Sequence, residues 1–398
     1  MKRLLALLLC LSLLLPAFAF AGDEEEDIDF NDLMEQEDVD VDDQGNIVDP
    51  DNDDFSEEAL LELADNVITG ESVDPSELYL NKNLPDDVIN ILLLGLDVKG
   101  TKDKKLLKDQ GQYAKRADVQ IILSINTTDG SIKLTSIARN TCVNIPDRRN
   151  ETAIANSYGH ALYNKSKQYT GWQDTPYMCM ATINQNFQLN IQDYVATNFY
   201  GVASIIEYLG GVDIDLTKVE AGAINTYLRK HKAAISSTYD DKKGKRDALE
   251  KRDGVQHLDG IQALMYGRLR SIDDDFHRTG RTRKLLSSLL TPTVQKIKNK
   301  ELDLLNFLGE SLQYFITNPE LNIERIVKII TGVLRGDVVK NMDMSDSLVE
   351  EFRIPMDGTF YYDEDSAGAS VNMFKRGQKQ ANTEALHEFI YGAYYPAD

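Results

Sequence analysis

Short apolar runs bounded by polar residues recur along the chain and predict strands. Residues 88–96 (VINILLLGL) are almost continuously apolar and too few for a buried helix, and residues 119–125 (VQIILSI) and 132–137 (IKLTSI) repeat the pattern. The Asp129-Gly130 pair between the last two runs predicts a hairpin turn. Residues 212–216 (VDIDL) alternate between apolar and polar positions, which is typical of an edge strand.

Helical patterns separate these runs. Residues 181–189 have helical spacing, and a helix over 202–209 is predicted to end at Gly210-Gly211. Residues 260–269 have helical and then extended character, 282–334 are predicted to be helical, and 345–398 to form a strand pair (EEFRIP, TFYYD) followed by a terminal helix. Residues 228–254, rich in Lys, Asp and Gly, predict a mobile surface insertion. The alternation predicts an α/β fold with layers of helices against a sheet.

The N-terminus has the order of a secretory signal peptide. Lys2 and Arg3 precede an apolar stretch over residues 4–15, Pro16 breaks it, and two A-x-A cleavage patterns follow within 17–21. We expect residues 1–21 to be a cleaved signal, with an uncleaved membrane anchor as the alternative. The protein is accordingly predicted to be extracytoplasmic, secreted or held at the outer face of the cytoplasmic membrane.

The net charge of −22 is concentrated in one segment. Residues 4–81 contain 24 acidic residues and no Lys or Arg, whereas from Lys82 onward acidic and basic residues are equal in number, at 41 each. A block of like charges with few aromatics repels itself, so residues 22–83 are predicted to be a disordered acidic segment. A catalytic domain over 84–292 and a C-terminal helical region with a short strand pair over 293–398 are expected to follow.

Neither the cysteines nor the usual catalytic motifs identify a reaction for this protein. Without the signal, Cys142 and Cys179 remain, either as a disulfide in an oxidising compartment or as two buried thiols. The chain has no Walker A loop, no G-x-S-x-G elbow, no H-E-x-x-H and no C-x-x-C motif. The five histidines form no pair at metal-ligand spacing, which disfavours a zinc enzyme or a serine hydrolase of the usual kinds.

Charged residues stand where the predicted strands begin and end. Asp97 follows the first apolar run, Arg139 follows the third, and Arg116 and Asp118 would reach the same edge if the second strand is antiparallel. A second cluster follows residue 266 and contains Arg268 and Arg270 in an extended segment, then Arg278 and Arg281 at a helix start. Several arginines with a carboxylate pair suit a pyrophosphate with Mg²⁺, although mutually paired surface charges are the commoner explanation of such clusters.

The segments that carry these charges resemble the LytR-CpsA-Psr family of cell-envelope enzymes. The matching stretches, in the family's order and over roughly residues 85–290, are NILLLGLD (90–97), RADVQIILSIN (116–126), TSIARNTCVNIP (135–146), LGGVDIDL (209–216), DGIQALMYGRLR (259–270) and DDFHRTGR (274–281). The resemblance implies an α-β-α fold with a central mixed sheet and an apolar pocket for an isoprenoid tail. It also implies Mg²⁺ (or Mn²⁺)-dependent transfer of a glycopolymer, such as teichoic acid or capsular polysaccharide, from an undecaprenyl pyrophosphate carrier to a peptidoglycan acceptor. A phosphodiester is formed, and pyrophosphatase activity is a possible accompaniment.

Residue roles follow from the same resemblance. It implies that Asp97 and Asp118 lie at the metal, that Arg139 and Asp118 are catalytic, with Asp118 or Asp97 as the base, and that the pyrophosphate-binding arginines are Arg116, Arg139, Arg268, Arg270, Arg278 and Arg281. Three positions depart from the family pattern: Asn140 replaces a carboxylate, Ala153 stands where a lysine is usual, and Thr282 replaces a glutamine.

Two functions therefore compete. The first is the phosphotransferase, and the second is a non-catalytic binder of polyprenyl-linked envelope polymer, which the changes at Asn140 and Ala153 would permit. A third, transcriptional regulation, is disfavoured because the near-neutral region after residue 81 lacks a basic nucleic-acid footprint. Metal-dependent turnover of a polyprenyl pyrophosphate distinguishes the first two.

Overall fold

A mixed sheet organises the computed structural model, which describes residues 40–41, 47–48, 68–69, 74–96, 116–162, 175–197, 199–230, 246–269, 272, 275–298, 315–319, 321, 325, 329 and 349–397. Its strands are β3 (Ile68–Thr69), β4 (Val88–Leu96), β5 (Ala117–Asn126), β6 (Ile132–Ile137), β9 (Asp193–Thr197), β12 (Phe315–Thr317) and β13 (Val349–Ile354). They are arranged in the order β13-β6-β5-β4-β9-β12-β3.

Shorter ladders and the helices complete the described elements. The ladders pair β1 (Asp40–Val41) with β2 (Ile47–Val48), β7 (Cys142–Val143) with β8 (Thr152–Ala153), β10 (Val212–Leu216) with β11 (Gly254–Leu258), and β14 (Phe360–Glu364) with β15 (Ser370–Phe374). The helices are α1 (Asn156–Leu162), α2 (Thr175–Phe187), α3 (Phe199–Tyr208), α4 (Lys218–Lys230), α5 (Gly260–Arg268), α6 (Asp275–Lys298) and α7 (Gln378–Tyr391). Within these residues, no helix combines the length and apolarity that crossing a bilayer requires.

The first two predicted strands form the centre of the sheet. Strand β4 is buried along nearly its whole length, with Leu92 and Leu93 fully inaccessible although they point to opposite faces. A strand buried on both faces needs helices on both sides, which explains why its sequence is a continuous apolar run. Strands β4 and β5 pair antiparallel, as do β5 and β6, while β9 runs parallel to β4. The predicted hairpin is confirmed, and Gly130 takes the positive φ of 79° that its turn requires.

Helices cover both faces of the sheet, which confirms the predicted three-layer α/β fold. On one face, a single apolar cluster joins alternate residues of β4 and β5 to α2 and α7, including Leu92, Met178 and Leu386. On the other face lies α6, where Arg283 contacts Ser136 of β6 and Glu351 of β13. Helix α5 packs against both α6 and α3.

Two predictions for the C-terminal part are wrong. The EEFRIP and TFYYD segments do not pair with each other: the first lies in β13, parallel to β6, and the second in β14, antiparallel to β15. The helical pattern predicted over 282–334 is interrupted by β12, which pairs with β9. The sheet therefore continues past the boundary predicted after residue 292. At the other end, Leu78 is buried in the core ahead of the boundary predicted at residue 84. The terminal helix is confirmed as α7.

The buried His387 ties the end of the chain to the core. Its Nδ1 accepts a hydrogen bond from the Tyr395 N–H (3.3 Å), so Nε2 carries the proton and donates to the Phe187 carbonyl (2.9 Å). Burial lowers the pKa of His387 from its ordinary value of 6.5. The neutral ring is thus the form that the folded protein holds.

Stability should therefore decline when the pH falls through 6.5 toward the lower pKa of the folded protein. In that window the unfolded chain binds a proton at His387 that the folded chain does not, so acidification favours unfolding. Thermal unfolding between pH 7.5 and 5.5 measures the effect, and the decline should be shallower in His387→Asn. Equal slopes for both proteins would show that His387 does not contribute to it.

Candidate functional site

The carboxyl ends of four strands and the start of β5 lie at the same edge of the sheet. Strands β6 and β9 run in the same direction as β4, β13 runs parallel to β6, and β5 runs the opposite way. The carboxyl ends of β4, β6, β9 and β13 therefore lie together with the start of β5. This arrangement places Arg139, just beyond β6, beside Asp118, the second residue of β5.

Arg139 and Asp118 form an ion pair at this edge. Nη1 of Arg139 donates to both carboxylate oxygens of Asp118 at 3.1 Å, and the two side chains are 24% and 15% exposed. The pair is thus largely shielded from water but still open to a ligand. A guanidinium carries five N–H donors in a planar fork, a geometry that suits both carboxylate and phosphate oxygens.

The loop that carries Arg139 is fixed by backbone hydrogen bonds. Ala138 N donates to the Ile354 carbonyl of β13 (2.9 Å), and Ala155 N donates to the Arg139 carbonyl (3.1 Å). The Thr141 side chain closes the turn by donating to the Ala138 carbonyl (2.6 Å). Rigid placement of a charged group lowers the reorganisation that binding an anion demands. We refer to residues 138–142 as the arginine loop.

The structure describes some of the other predicted site residues and not others. Arg116 is exposed and stands directly before β5, next to the Asp118 end of the ion pair. Asp97 and Arg270 lie outside the described residues, so their predicted roles stay predictions. Arg268 is the last residue of helix α5 and is partly buried. The prediction that Arg268 belongs to an extended segment is wrong, because the capping box formed by Asp259 and Gln262 begins a helix that continues to it.

Arg278 and Arg281 are buried on α6. Their residues are 8% and 4% exposed. Nη2 of Arg281 donates to the Leu269 carbonyl at 2.7 Å, and its Nη1 lies 3.8 Å from a carboxylate oxygen of Glu220 on α4. Arg281 therefore joins α6 to α4 and to the end of α5, a role that the sequence did not indicate. A buried guanidinium needs such compensation, because an uncompensated charge in the interior is strongly unfavourable.

Arg283 positions the helix that carries these arginines. Its Nε donates to Glu351 of β13 at 2.9 Å and its Nη1 contacts the hydroxyl of Ser136 on β6. Ser287 donates to the other Glu351 oxygen at 2.7 Å. These contacts fix α6 on the sheet next to the strand that leads into the arginine loop. The sequence does not indicate this role for Arg283, because its partner Glu351 is distant along the chain.

A concavity lies at the start of α5. This polar cleft of about 620 Å³ is lined by residues that include Glu207, Gly211, Arg246, Glu250, Arg252 and Asp259. Arg246 pairs with Asp259 and Arg252 with Glu250, each at 2.5 Å. The cleft surrounds the start of α5, and neither Arg139 nor Asp118 is among the described residues that line it.

Comparison with known proteins agrees with this arrangement. The model of the LytR_cpsA_psr family matches residues 60–380, which is most of the chain. This chain belongs to the LytR-CpsA-Psr family. Among solved structures, TagT bound to LI-WTA aligns with 80% of this chain and 93% of its own, at 19% identity and a TM-score of 0.50. A Streptococcus agalactiae protein aligns with 78% and 91%, at 15% identity and a TM-score of 0.52. At such identities the likeness concerns the fold.

Curated relatives are named polyisoprenyl-teichoic acid–peptidoglycan teichoic acid transferase TagU. The protein from Oceanobacillus iheyensis is 31% identical over 140 residues, which are 35% of this chain and 37% of that protein. The one from Halalkalibacterium halodurans is 26% identical over 57% of this chain and 60% of its own length. The protein from Bacillus mycoides is 25% identical over 71% and 76%. The chain thus matches less than two thirds of the first two relatives.

Each of the three residues that depart from the LytR-CpsA-Psr pattern has local contacts that the structure describes. Asn140 contributes its backbone carbonyl, which accepts a hydrogen bond from Asn372 N (2.8 Å), so the loop does not need a carboxylate there to keep its shape. Ala153 is buried against Cys142 and Val371. Thr282 is buried and its hydroxyl donates to the Arg278 carbonyl at 3.2 Å. The amide at position 140 removes a negative charge next to Arg139.

The two cysteines of this family member are separate thiols. Both are buried and free, and the Cys179 sulfur lies 3.2 Å from the Ser157 hydroxyl. Burial raises the pKa of Cys142 to about 11, assisted by the negative charge of Glu151, and burial raises that of Cys179 to about 12. Of the two alternatives, the structure has the thiols. Because only the thiolate is nucleophilic, neither cysteine is suited to covalent catalysis near neutral pH.

The carboxylate at this edge of the sheet is suited to a metal ion that would be held mainly by the phosphate oxygens of a bound substrate. Among the residues that the structure describes, no three His, Cys, Asp or Glu side chains come together as a metal-binding group. Asp118 is the carboxylate in contact with Arg139. Mg²⁺ is commonly bound through one or two carboxylates, with phosphate oxygens and waters completing its coordination. The residues present fit that mode.

Proposed function

We propose that this protein transfers a glycopolymer from an undecaprenyl pyrophosphate carrier to peptidoglycan, joining the two through a phosphodiester. The observation that carries the proposal is the Arg139–Asp118 pair on a fixed loop at the carboxyl edge of the sheet. The TagU relatives are named as teichoic acid transferases that act with peptidoglycan, and the TagT neighbour is described as bound to LI-WTA. The polymer belongs to the class of glycopolymers, of which the teichoic acid named for the relatives is one member.

The reaction forms one P–O bond and breaks another. The acceptor hydroxyl oxygen bonds to the phosphorus that carries the polymer, the bond from that phosphorus to undecaprenyl phosphate breaks, and undecaprenyl phosphate leaves with the electron pair. The hydroxyl proton passes to a carboxylate, either Asp118 or Asp97. Arg139 donates to the phosphate oxygens on which negative charge accumulates, and Arg116 stands at the same edge.

Asp118 and Asp97 are the residues that would hold Mg²⁺ or Mn²⁺. The bound ion would neutralise negative charge on the pyrophosphate oxygens. The contact between Asp118 and Arg139 also keeps the carboxylate oriented toward the place where Arg139 meets the substrate. Removing the carboxylate charge by Asp118→Asn should therefore weaken metal dependence more than lipid affinity.

Asn140 favours a second candidate function. An amide beside Arg139 neither takes up a proton nor adds charge for a metal, and Arg281 already contacts Leu269 and Glu220. A protein with these features could bind a polyprenyl-linked polymer without turning it over. Both functions require the pyrophosphate site, and they differ in the chemical step alone.

One assay separates these candidates. The purified protein is incubated with geranylgeranyl pyrophosphate, with and without Mg²⁺, and phosphate release is measured together with lipid affinity. Metal-dependent release supports the transferase. Tight lipid binding without release, even when Mg²⁺ is present, supports the binder, and restoration of release in Asn140→Asp would assign the loss to that residue.

The compartment is part of the proposal. A peptidoglycan acceptor requires the extracytoplasmic side, and the signal-like residues 1–21 provide the route. N-terminal sequencing of the protein recovered from its host cells determines whether cleavage follows residue 19 or 21 or does not occur.

A further inference from the structure

The hairpin of β14 and β15 presents an exposed aromatic surface. Tyr362 is 66% exposed, and its ring meets the Phe360 ring edge to face, with the centroids 5.6 Å apart. Residues two apart on a strand share a face, so these two rings belong to one surface. Tyr361, 44% exposed, points to the other face. Phe360 is partly buried, so the surface consists of one exposed ring supported by a second ring beneath it, and exposed apolar groups of this kind can mark binding surfaces.

This aromatic surface is joined to the arginine loop. Tyr362 lies opposite Asn372 in the hairpin. Asn372 in turn forms a bridge with Thr141 and donates its N–H to the Asn140 carbonyl at 2.8 Å. With neighbouring strands about 4.8 Å apart, the Tyr362 backbone lies two strand spacings, roughly 10 Å, from the loop that carries Arg139. A short stretch of glycan spans that distance.

The charges beside the rings select the kind of ligand. Asp363 and Glu364 are exposed and follow Tyr362 directly. Their oxygens can accept hydrogen bonds from hydroxyl and amide N–H groups, but they repel a polymer rich in phosphate. A pyranose ring has an apolar face of C–H groups that stacks on an aromatic ring, and its polar groups lie along the rim. The combination fits an uncharged sugar chain better than an anionic polymer or an anionic membrane.

We infer that Phe360 and Tyr362 form a stacking subsite for an uncharged N-acetylated amino-sugar chain, which is the glycan of the acceptor. The inference rests on the proposed function, since it places the acceptor rather than the polymer at this hairpin. Tyr362 stacks on a sugar ring, Glu364, which shares the face of Tyr362, binds its rim, and the chain continues toward the arginine loop, where its hydroxyl meets the pyrophosphate.

Calorimetric titration of the full chain with N-acetylchitotetraose tests the subsite. Tyr362→Ala should weaken binding roughly tenfold, the equivalent of about 1.4 kcal/mol, while Tyr362→Phe should retain most of the affinity because the ring remains. Tyr361→Ala is the matched control: it removes a neighbouring exposed tyrosine from the other face and should leave the affinity unchanged. Equal losses in both alanine variants, or none in Tyr362→Ala, would overturn the assignment.

A second titration keeps this result apart from the proposed function. Geranylgeranyl pyrophosphate should bind equally well to the wild type and to Tyr362→Ala, because the ring lies away from Arg139. If the wild type fails to bind that lipid, the proposed function is overturned whatever the sugar does. If it binds the lipid and not N-acetylchitotetraose, or binds a glycerol phosphate oligomer through Tyr362, the subsite inference alone is overturned.

Discussion

Replacing Arg139 with alanine should reduce turnover of geranylgeranyl pyrophosphate by at least about 100-fold, the effect of losing one donor aimed at developing charge. The loop that carries Arg139 is held by backbone hydrogen bonds from Ala138, Ala155 and Thr141, which do not involve the guanidinium. The fold should therefore survive the change. Arg139→Lys should give an intermediate rate, because a lysine keeps the charge but loses the planar pair of donors.

Arg252→Ala serves as the control for this experiment. Arg252 is half exposed and pairs with Glu250 at the polar cleft, away from the arginine loop. Its removal should leave both turnover and lipid affinity unchanged. If Arg139→Ala turned over substrate like the wild type while remaining folded, the assignment of the site to this edge of the sheet would be wrong.

Gly260→Ala should be the most destabilising single-methyl change among the described glycines. A Cβ at this position would stand 2.0 Å from the Ala203 carbonyl oxygen and 2.9 Å from its carbon, where helix α5 begins against α3. Backbone atoms cannot move aside as a flexible side chain can, so the two helices must separate. We expect a loss of about 1–3 kcal/mol in the free energy of unfolding, measured by urea denaturation.

Gly222→Ala provides a matched comparison within a helix. No heavy atom lies within 4 Å of a Cβ built at Gly222 of α4. Because alanine has the higher helix propensity, this variant should be more stable than the wild type by roughly 0.5–1 kcal/mol. Equal and small effects at both positions would show that α3 and α5 do not approach as closely as described.

Much of the sheet could be predicted from local pattern. The boundaries of β4 and β6 agree with the predicted runs, since a strand buried on both faces has a continuous apolar sequence that needs no knowledge of its partners. The turn at Asp129-Gly130 was equally local, because the positive φ of Gly130 is a property of the residue itself. Placing Arg139 at a strand end followed from these boundaries.

Partners far apart along the chain could not be predicted in this way. The pattern of EEFRIP predicts an extended segment, which the structure confirms in β13, but the pairing of β13 with β6 joins residues more than 200 positions apart, and nothing in EEFRIP identifies that partner. The hydrogen bond from Asn372 to Asn140, which brings the aromatic hairpin to the arginine loop, is of the same kind. For Arg281, the sequence predicted a phosphate ligand, whereas the structure adds contacts with Leu269 and Glu220.

By itself, the sequence determined the strands of the sheet centre, the hairpin, the charge that sets the N-terminal segment apart, and the resemblance to the family. These are properties of short segments, because the burial pattern and the turn geometry of a segment depend on its own consecutive residues. Only the tertiary structure decided which charges meet. Arg139 reaches Asp118 because β5 runs antiparallel to β4 and β6, and Gly260 is required because α3 crosses α5 there. Both depend on how distant elements pack, since direction and close approach are set by the whole core and not by any one segment.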